Sequence, residues 1–162
     1  MGIQVEVEGM VPVSGKIVTR IVTVPGVGTG AHASGDVGGI AFPLAELVRA
    51  DGAGGIVESV VLVETTTNGA ATELWLFDKE ITAAVDDAAH SISDGHAEWC
   101  VGVVPITSHY ASALNSTSVA RGVGLAFNCE SGRRDLVGLL VTRGTPTYAA
   151  NGVKLKVTVI QE

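Results

Sequence analysis

Apolar and polar residues alternate with a period of two along much of this chain. Ile3, Val5 and Val7 alternate with Gln4, Glu6 and Glu8, which predicts a short strand with one wet face. After a Ser14-Gly15 turn, residues 16–24 predict a second strand, rich in β-branched side chains, and Pro25 ends it. Residues 56–66 predict a long strand whose VVLVE run implies burial on both faces. Asn68-Gly69 is a strong hairpin signal and leads into a strand at 72–77. Further strands are predicted at 98–104, closed by Pro105, at 123–128 and at 135–143, the last two joined by a turn over 130–134. The closing strand, 153–160, sets Val153, Leu155, Val157 and Val159 inward and Lys154, Lys156 and Thr158 outward.

Two segments break the pattern. Residues 42–50 fit a strand or one helical turn equally. Residues 83–95 predict a short helical turn with Asp86-Asp87 at its start, where acidic side chains favour a helix N-terminus. Roughly eight or nine strands at short spacing, with at most one or two helical turns, predict an all-β sandwich, and a jelly roll fits that count best. No break in composition divides the chain. Residues 1–15 are expected to form an N-terminal strand or arm and residues 16–162 one β-sandwich domain.

Composition sharpens this picture. Of 162 residues, 46% are hydrophobic but only 4% aromatic, so the core must be built from Val, Ile, Leu and Ala. The 21 glycines suit turns and bulges. A net charge of −7 argues against nucleic acid as a partner, since phosphate binding rests on Lys and Arg. No leader-like stretch and no long apolar run is visible, so synthesis in the cytoplasm and no membrane partner are expected. Arg133-Arg134 predicts a solvated turn.

The candidate chemistry is sparse. Residues 26–33, GVGTGAHA, can be read as a GxGxxA loop, but Ser34-Gly35-Asp36 and Gly38-Gly39 follow where a phosphate-binding helix is needed. Asp51 stands at the distance expected of a ribose contact, yet in a glycine turn. His32, His90, His96 and His109 show no metal-ligand spacing, although His90 and His96 lie near Asp86, Asp87 and Asp94. No GxSxG elbow is present. Trp75 and Trp99 lie inside strand text and are expected in the core or at a subunit contact. Cys100 and Cys129 occur in apolar contexts and are expected as buried thiols, with a disulfide the lesser alternative. No catalytic, cofactor-binding or metal residue is assigned, and no enzyme is expected.

The order of segments nevertheless resembles a family. ASGDVGG at 33–39 is similar to an early Y-x-A/S-G-D-x-x-G element of small virion proteins of tailed bacteriophages. Arg49-Ala50-Asp51-Gly52, GGIVESVVLVE at 54–64 and ELWLFD at 73–78 follow in the same order. VGVVPI at 101–106, LVGLLVTRGTPTY at 136–148 and KLKVTVIQE at 154–162 complete it. Two departures are an Asp94-Gly95-His96 in place of Asp-Ala-Asp and the glycine-rich stretch after Pro25. The resemblance implies a capsid decoration, or cement, protein: a homotrimeric sandwich on the outer capsid surface, with the major capsid protein as partner and no cofactor. Within that reading, Ile3, Val5 and Val7 form a candidate capsid-contact arm. The alternatives are a receptor- or glycan-binding module of a tail fibre or spike, which requires accessible Trp75 and Trp99, and a hydrolase or cupin-like enzyme.

Overall fold

The computed structural model describes residues 15–67 and 69–162. The expected strand at 3–8, the candidate arm residues Ile3, Val5 and Val7, and Asn68 of the hairpin signal lie outside the described residues. In chain order the elements are β1 (Lys16–Thr23), β2 (Gly30–Ala31), β3 (Phe42–Leu44), β4 (Gly54–Glu64), β5 (Thr72–Phe77) and α1 (Asp94–Ala97). They continue with β6 (Cys100–Ile106), β7 (Ser108–Ala111), β8 (Ser116–Asn128), β9 (Leu136–Thr142), β10 (Thr147–Tyr148) and β11 (Val153–Gln161).

Nine of these strands form two antiparallel sheets, one in the order β1-β11-β4-β8-β7 and one in the order β3-β9-β5-β6. A small β10-β2 pair closes one end. The chain crosses between the two large sheets at almost every step. β1 is followed by β3 in the opposite sheet, β4 returns, β5 and β6 cross again, β8 returns, β9 crosses, and β11 slots between β1 and β4. This interleaving is a jelly roll, the fold expected from the sequence.

Alternation explains the core. Val57, Val60 and Leu62 of β4 and Val153, Leu155, Val157 and Val159 of β11 are buried on the inner face, opposite Leu74 and Leu140. With few aromatics, branched aliphatic side chains fill the space, and Phe42 is among the largest wholly buried groups.

A second cluster lies outside the four-stranded sheet. The connection at residues 78–99 folds over that face, and Ile81, Ala84 and Ile92 pack on Val37, Phe77, Val137, Leu139 and Val141. β9 is therefore the strand buried at every position, on both faces.

Several sequence expectations are corrected here. The helical turn does not begin at Asp86-Asp87. The first described helical turn is α1, capped by Ser93, whose hydroxyl accepts from the His96 amide at 3.3 Å. Asp87 instead occupies a turn with φ of 60°. Residues 42–50 divide into the short β3 and a turn in which Glu46 has φ of 54°. Pro105 does not end its strand but lies within β6, which is tolerable because β6 is an edge strand with one side free of ladder bonds. β8 begins at Ser116, ahead of the expected 123. Its register slips against β4 between Val57 and Ser59, and Gly122 and Gly124, at φ of 61° and 65°, supply the backbone that the irregularity needs. The VVLVE run is buried on one face only: Val60, Leu62 and Glu64 are buried, while Val61 and Val63 are half-exposed.

Candidate functional site: the open face of the five-stranded sheet

The two outer faces of the sandwich differ. The loop at 78–99 covers one. No described element covers the other, and apolar side chains stand on it. Strand register places Ile17, Ile160, Ile56 and Ala126 in one row across β1, β11, β4 and β8. Ile21, Lys156, Val61 and Val119 form another row. Ile17 is 67% exposed and Ile21 69% exposed, and Tyr110 on β7 is 65% exposed. Between the rows the hydroxyls of Thr19 and Thr158 are hydrogen-bonded at 3.1 Å. The cations of this face, Lys154, Lys156 and Arg121, are all exposed. Glu58, exposed at the bulge of β4, shares the face with these cations, so the apolar surface carries both basic and acidic groups. Exposed apolar side chains gathered on one face make it a candidate contact site. The sequence signal was the VVLVE run itself: both faces of β4 are apolar, but only one meets the core.

The glycine-rich loop is tightly turned and pinned. Asp86 is its anchor. One carboxylate oxygen, Oδ1, accepts from the Gly39 amide at 2.6 Å and contacts Nε2 of His32 at 3.0 Å. The other, Oδ2, accepts from the Gly28 amide at 2.9 Å. Burial pushes the Asp86 carboxyl up, but His32 and the two amides together outweigh it and hold the group below its ordinary value. His32 is buried and packs edge-on against Tyr148, ring centroids 4.9 Å apart. No helix follows the loop, and Asp51 is exposed in a turn 3.5 Å from Arg134, so loop and acid do not form a nucleotide site.

The remaining candidates are separated. His90 packs on Trp75 with centroids 4.6 Å apart, and burial followed by the nearby Arg143 charge depresses its pKa. His96 packs on Trp99 at 4.9 Å, and His109 reaches the Ser118 hydroxyl at 2.6 Å. Among the described residues no three of His, Cys, Asp and Glu converge to hold a metal ion. Trp75 and Trp99 are both half-buried, Trp75 donating to Glu73 at 3.0 Å. Arg133 is not simply solvated: its guanidinium joins Asp135 at 2.8 Å and Glu80 at 2.9 Å and so ties the 78–99 loop to the turn before β9.

The two cysteines lie in different clusters and both are free thiols; Cys129 is buried between the sheets as expected, whereas Cys100, at the start of edge strand β6, is only half-buried against the covering loop. Burial, with Asp135 adding to it, pushes the Cys129 thiol up to about 11. Cys129 is therefore expected to resist a thiol probe at neutral pH until the protein unfolds. Labelling with and without denaturant, read by mass spectrometry, checks this; rapid native labelling at Cys129 would contradict it.

An open groove of about 510 Å³ runs between β6 and β8, lined by Val103, Pro105, Val119, Arg121 and Leu125 among others. Among the described residues its lining includes no acid or histidine. Neither a family model nor a curated protein matches this chain. No described helix is long and apolar enough to cross a membrane.

Proposed function

We propose that this protein decorates the outside of a bacteriophage capsid, binding the assembled shell through the open face of the five-stranded sheet. The observation that carries the reading is the contrast between the two faces. One is roofed by the chain's own loop, and the other presents Ile17, Ile21, Ile56, Val61 and Ile160 with no described cover. The segment order that resembles small phage virion proteins supports the same reading. So does the jelly roll, an architecture used in viral capsid domains and also in lectins.

The physical role follows from linkage. A protein that binds only the assembled lattice stabilises that lattice by mass action. A symmetric oligomer presents identical contacts to a local symmetry axis of the shell. Its partner is the major capsid protein. In this reading Lys154, Lys156 and Arg121 meet acidic groups of the capsid surface, and Glu58 on the same face meets a basic one. The receptor-binding alternative has less support, because both tryptophans are packed against histidines rather than presented in a groove.

Substituting Val61→Glu and Val63→Glu together places two acids at the centre of the open face without touching the inner core. Shell binding is expected to fall at least ~tenfold, since two apolar contacts worth about 1 kcal/mol each would be lost. Co-sedimentation with emptied shells of the virus that encodes the protein measures it. Unchanged binding by a folded variant would overturn the assignment of this face.

A further inference from the structure

We propose that two copies of the chain pair edge to edge through β1, about a two-fold axis, to make one continuous sheet. This inference does not rest on the virion reading; it rests on how the four edges of the two large sheets are built.

Three edges are blunted. β3 has three residues and contains Pro43, β6 contains Pro105, and β7 has four residues. Short strands and prolines are the usual protection against strand addition. β1 has eight residues, KIVTRIVT, with no proline, no glycine and an unbroken register against β11. No described strand pairs with its other side. Arg20, which could obstruct that side, is turned toward the residues after β3, donating to the Ala45 carbonyl at 3.1 Å and the Glu46 carbonyl at 2.9 Å.

The phase of the backbone is fixed by its continuation. The Val24 amide donates to the Val153 carbonyl at 2.9 Å, one step beyond the Thr23–Lys154 pair. Backbone groups alternate sides along a strand. Val22, Arg20, Val18 and Lys16 therefore direct their amides and carbonyls toward β11. Ile17, Thr19, Ile21 and Thr23 direct theirs to the open edge. The same odd-numbered residues carry their side chains on the open face, because Val18 and Val22 pack against the core.

An antiparallel pairing of β1 with its own copy keeps these faces together only if odd residues meet odd residues. One register does this best. Thr19 faces Thr19 of the second copy, and Ile17 of each copy faces Ile21 of the other. The exposed isoleucines then cover each other twice, and no cation faces a cation. A shift by one step of the same parity sets Arg20 against Arg20, with each isoleucine against threonine, or Lys16 against Arg20, with Ile17 against Thr19 and Ile21 against Gly15. In the favoured register Ile17, Thr19 and Ile21 exchange backbone hydrogen bonds with their counterparts. The row Ile56–Ile160–Ile17 of one copy then runs on into Ile21–Lys156–Val61 of the other.

Thr19→Pro tests this with little damage to the fold, because the amide it removes faces the open edge and not β11. Sedimentation equilibrium of the full chain is expected to give a dimer for the parent and a monomer for Thr19→Pro with unchanged circular dichroism. Ile17→Lys with Ile21→Lys is the second variant, setting lysine against lysine twice, and is also expected to be monomeric. Thr19→Cys is expected to form an intermolecular disulfide on mild oxidation, whereas Thr23→Cys, far from its own counterpart in this register, is expected not to. The proposal is overturned by a monomeric parent, by a parent oligomer that survives both variants, or by equal cross-linking at Thr19→Cys and Thr23→Cys. A parent that dimerises only after residues 1–14 are deleted would also overturn it, since the chain's own N-terminal residues would then occupy the edge. A dimer that binds no shell would sink the virion reading and leave the pairing intact.

Discussion

At pH 8 the Glu64→Gln protein is expected to melt about 5–10 °C above the parent, and at pH 4 the two should nearly coincide. Glu64 ends β4 with its side chain turned inward and is 1% exposed. Oε2 accepts from the Ser116 hydroxyl at 3.3 Å, and Oε1 has no hydrogen-bond partner among the described residues. Burial is the main cause that raises its pKa from 4.5 to about 7, with the Ser116 hydroxyl opposing. The folded state thus holds this proton more tightly than the unfolded chain does. The associated stability is present below about pH 4.5 and falls as pH rises through 7, the reverse of the usual carboxylate. The shift corresponds to about 3 kcal/mol at most above pH 7. Glutamine removes the charge and keeps the shape. Thermal melts of both proteins at pH 4 and pH 8 decide the matter; an equal difference at both pH values would mean that Glu64 acts through packing alone.

The second large effect belongs to Asp86. Asp86→Ala is expected to cost about 3 kcal/mol, from leaving the Gly28 and Gly39 amides and the His32 ring without their acceptor at roughly 1–3 kcal/mol per buried group. His32 already has one ring nitrogen, Nδ1, without a partner among the described residues. Loss of the other contact would leave a buried imidazole with neither nitrogen satisfied. Asp86→Asn keeps one acceptor oxygen and is expected to cost less than alanine. Urea unfolding gives the loss, and amide exchange should quicken at residues 26–39 before it does in β4 or β11. A stability change below 0.5 kcal/mol, a typical surface value, would show that the loop is held by something else.

Much of the fold was legible because a jelly roll is written in period two. The bounds that alternation predicts for β5 match those observed, and those for β11 agree to within one residue, with the same inward and outward sets. The failures have physical causes. β7 and the first half of β8, SHYA and STSVARG, carry too little alternation to announce a strand, and tertiary pairing of β8 with β4, and of β7 with β8, makes them strands anyway. Asp86-Asp87 resembled a helix start because acids favour that position, yet Asp86 is spent on loop amides and Ser93 caps the helical turn instead. The candidate site was legible only in disguise. Apolar residues on both faces of β4 suggest a doubly buried strand. That description fits β9, whose outer face the 78–99 loop covers, whereas the outer face of β4 is open. Strand text records that both faces avoid water; it does not record whether the cover comes from the same chain.

Cryo-electron microscopy of the virus particle that carries this chain would show which face of the sandwich meets the shell. Density for the jelly roll is expected outside the major capsid protein lattice, over the junctions between capsomers, with Val61 and Val63 of the five-stranded sheet against the shell. Density for this chain at the tail tip, or on the capsid with the 78–99 loop against the shell and the five-stranded sheet facing solvent, would contradict it.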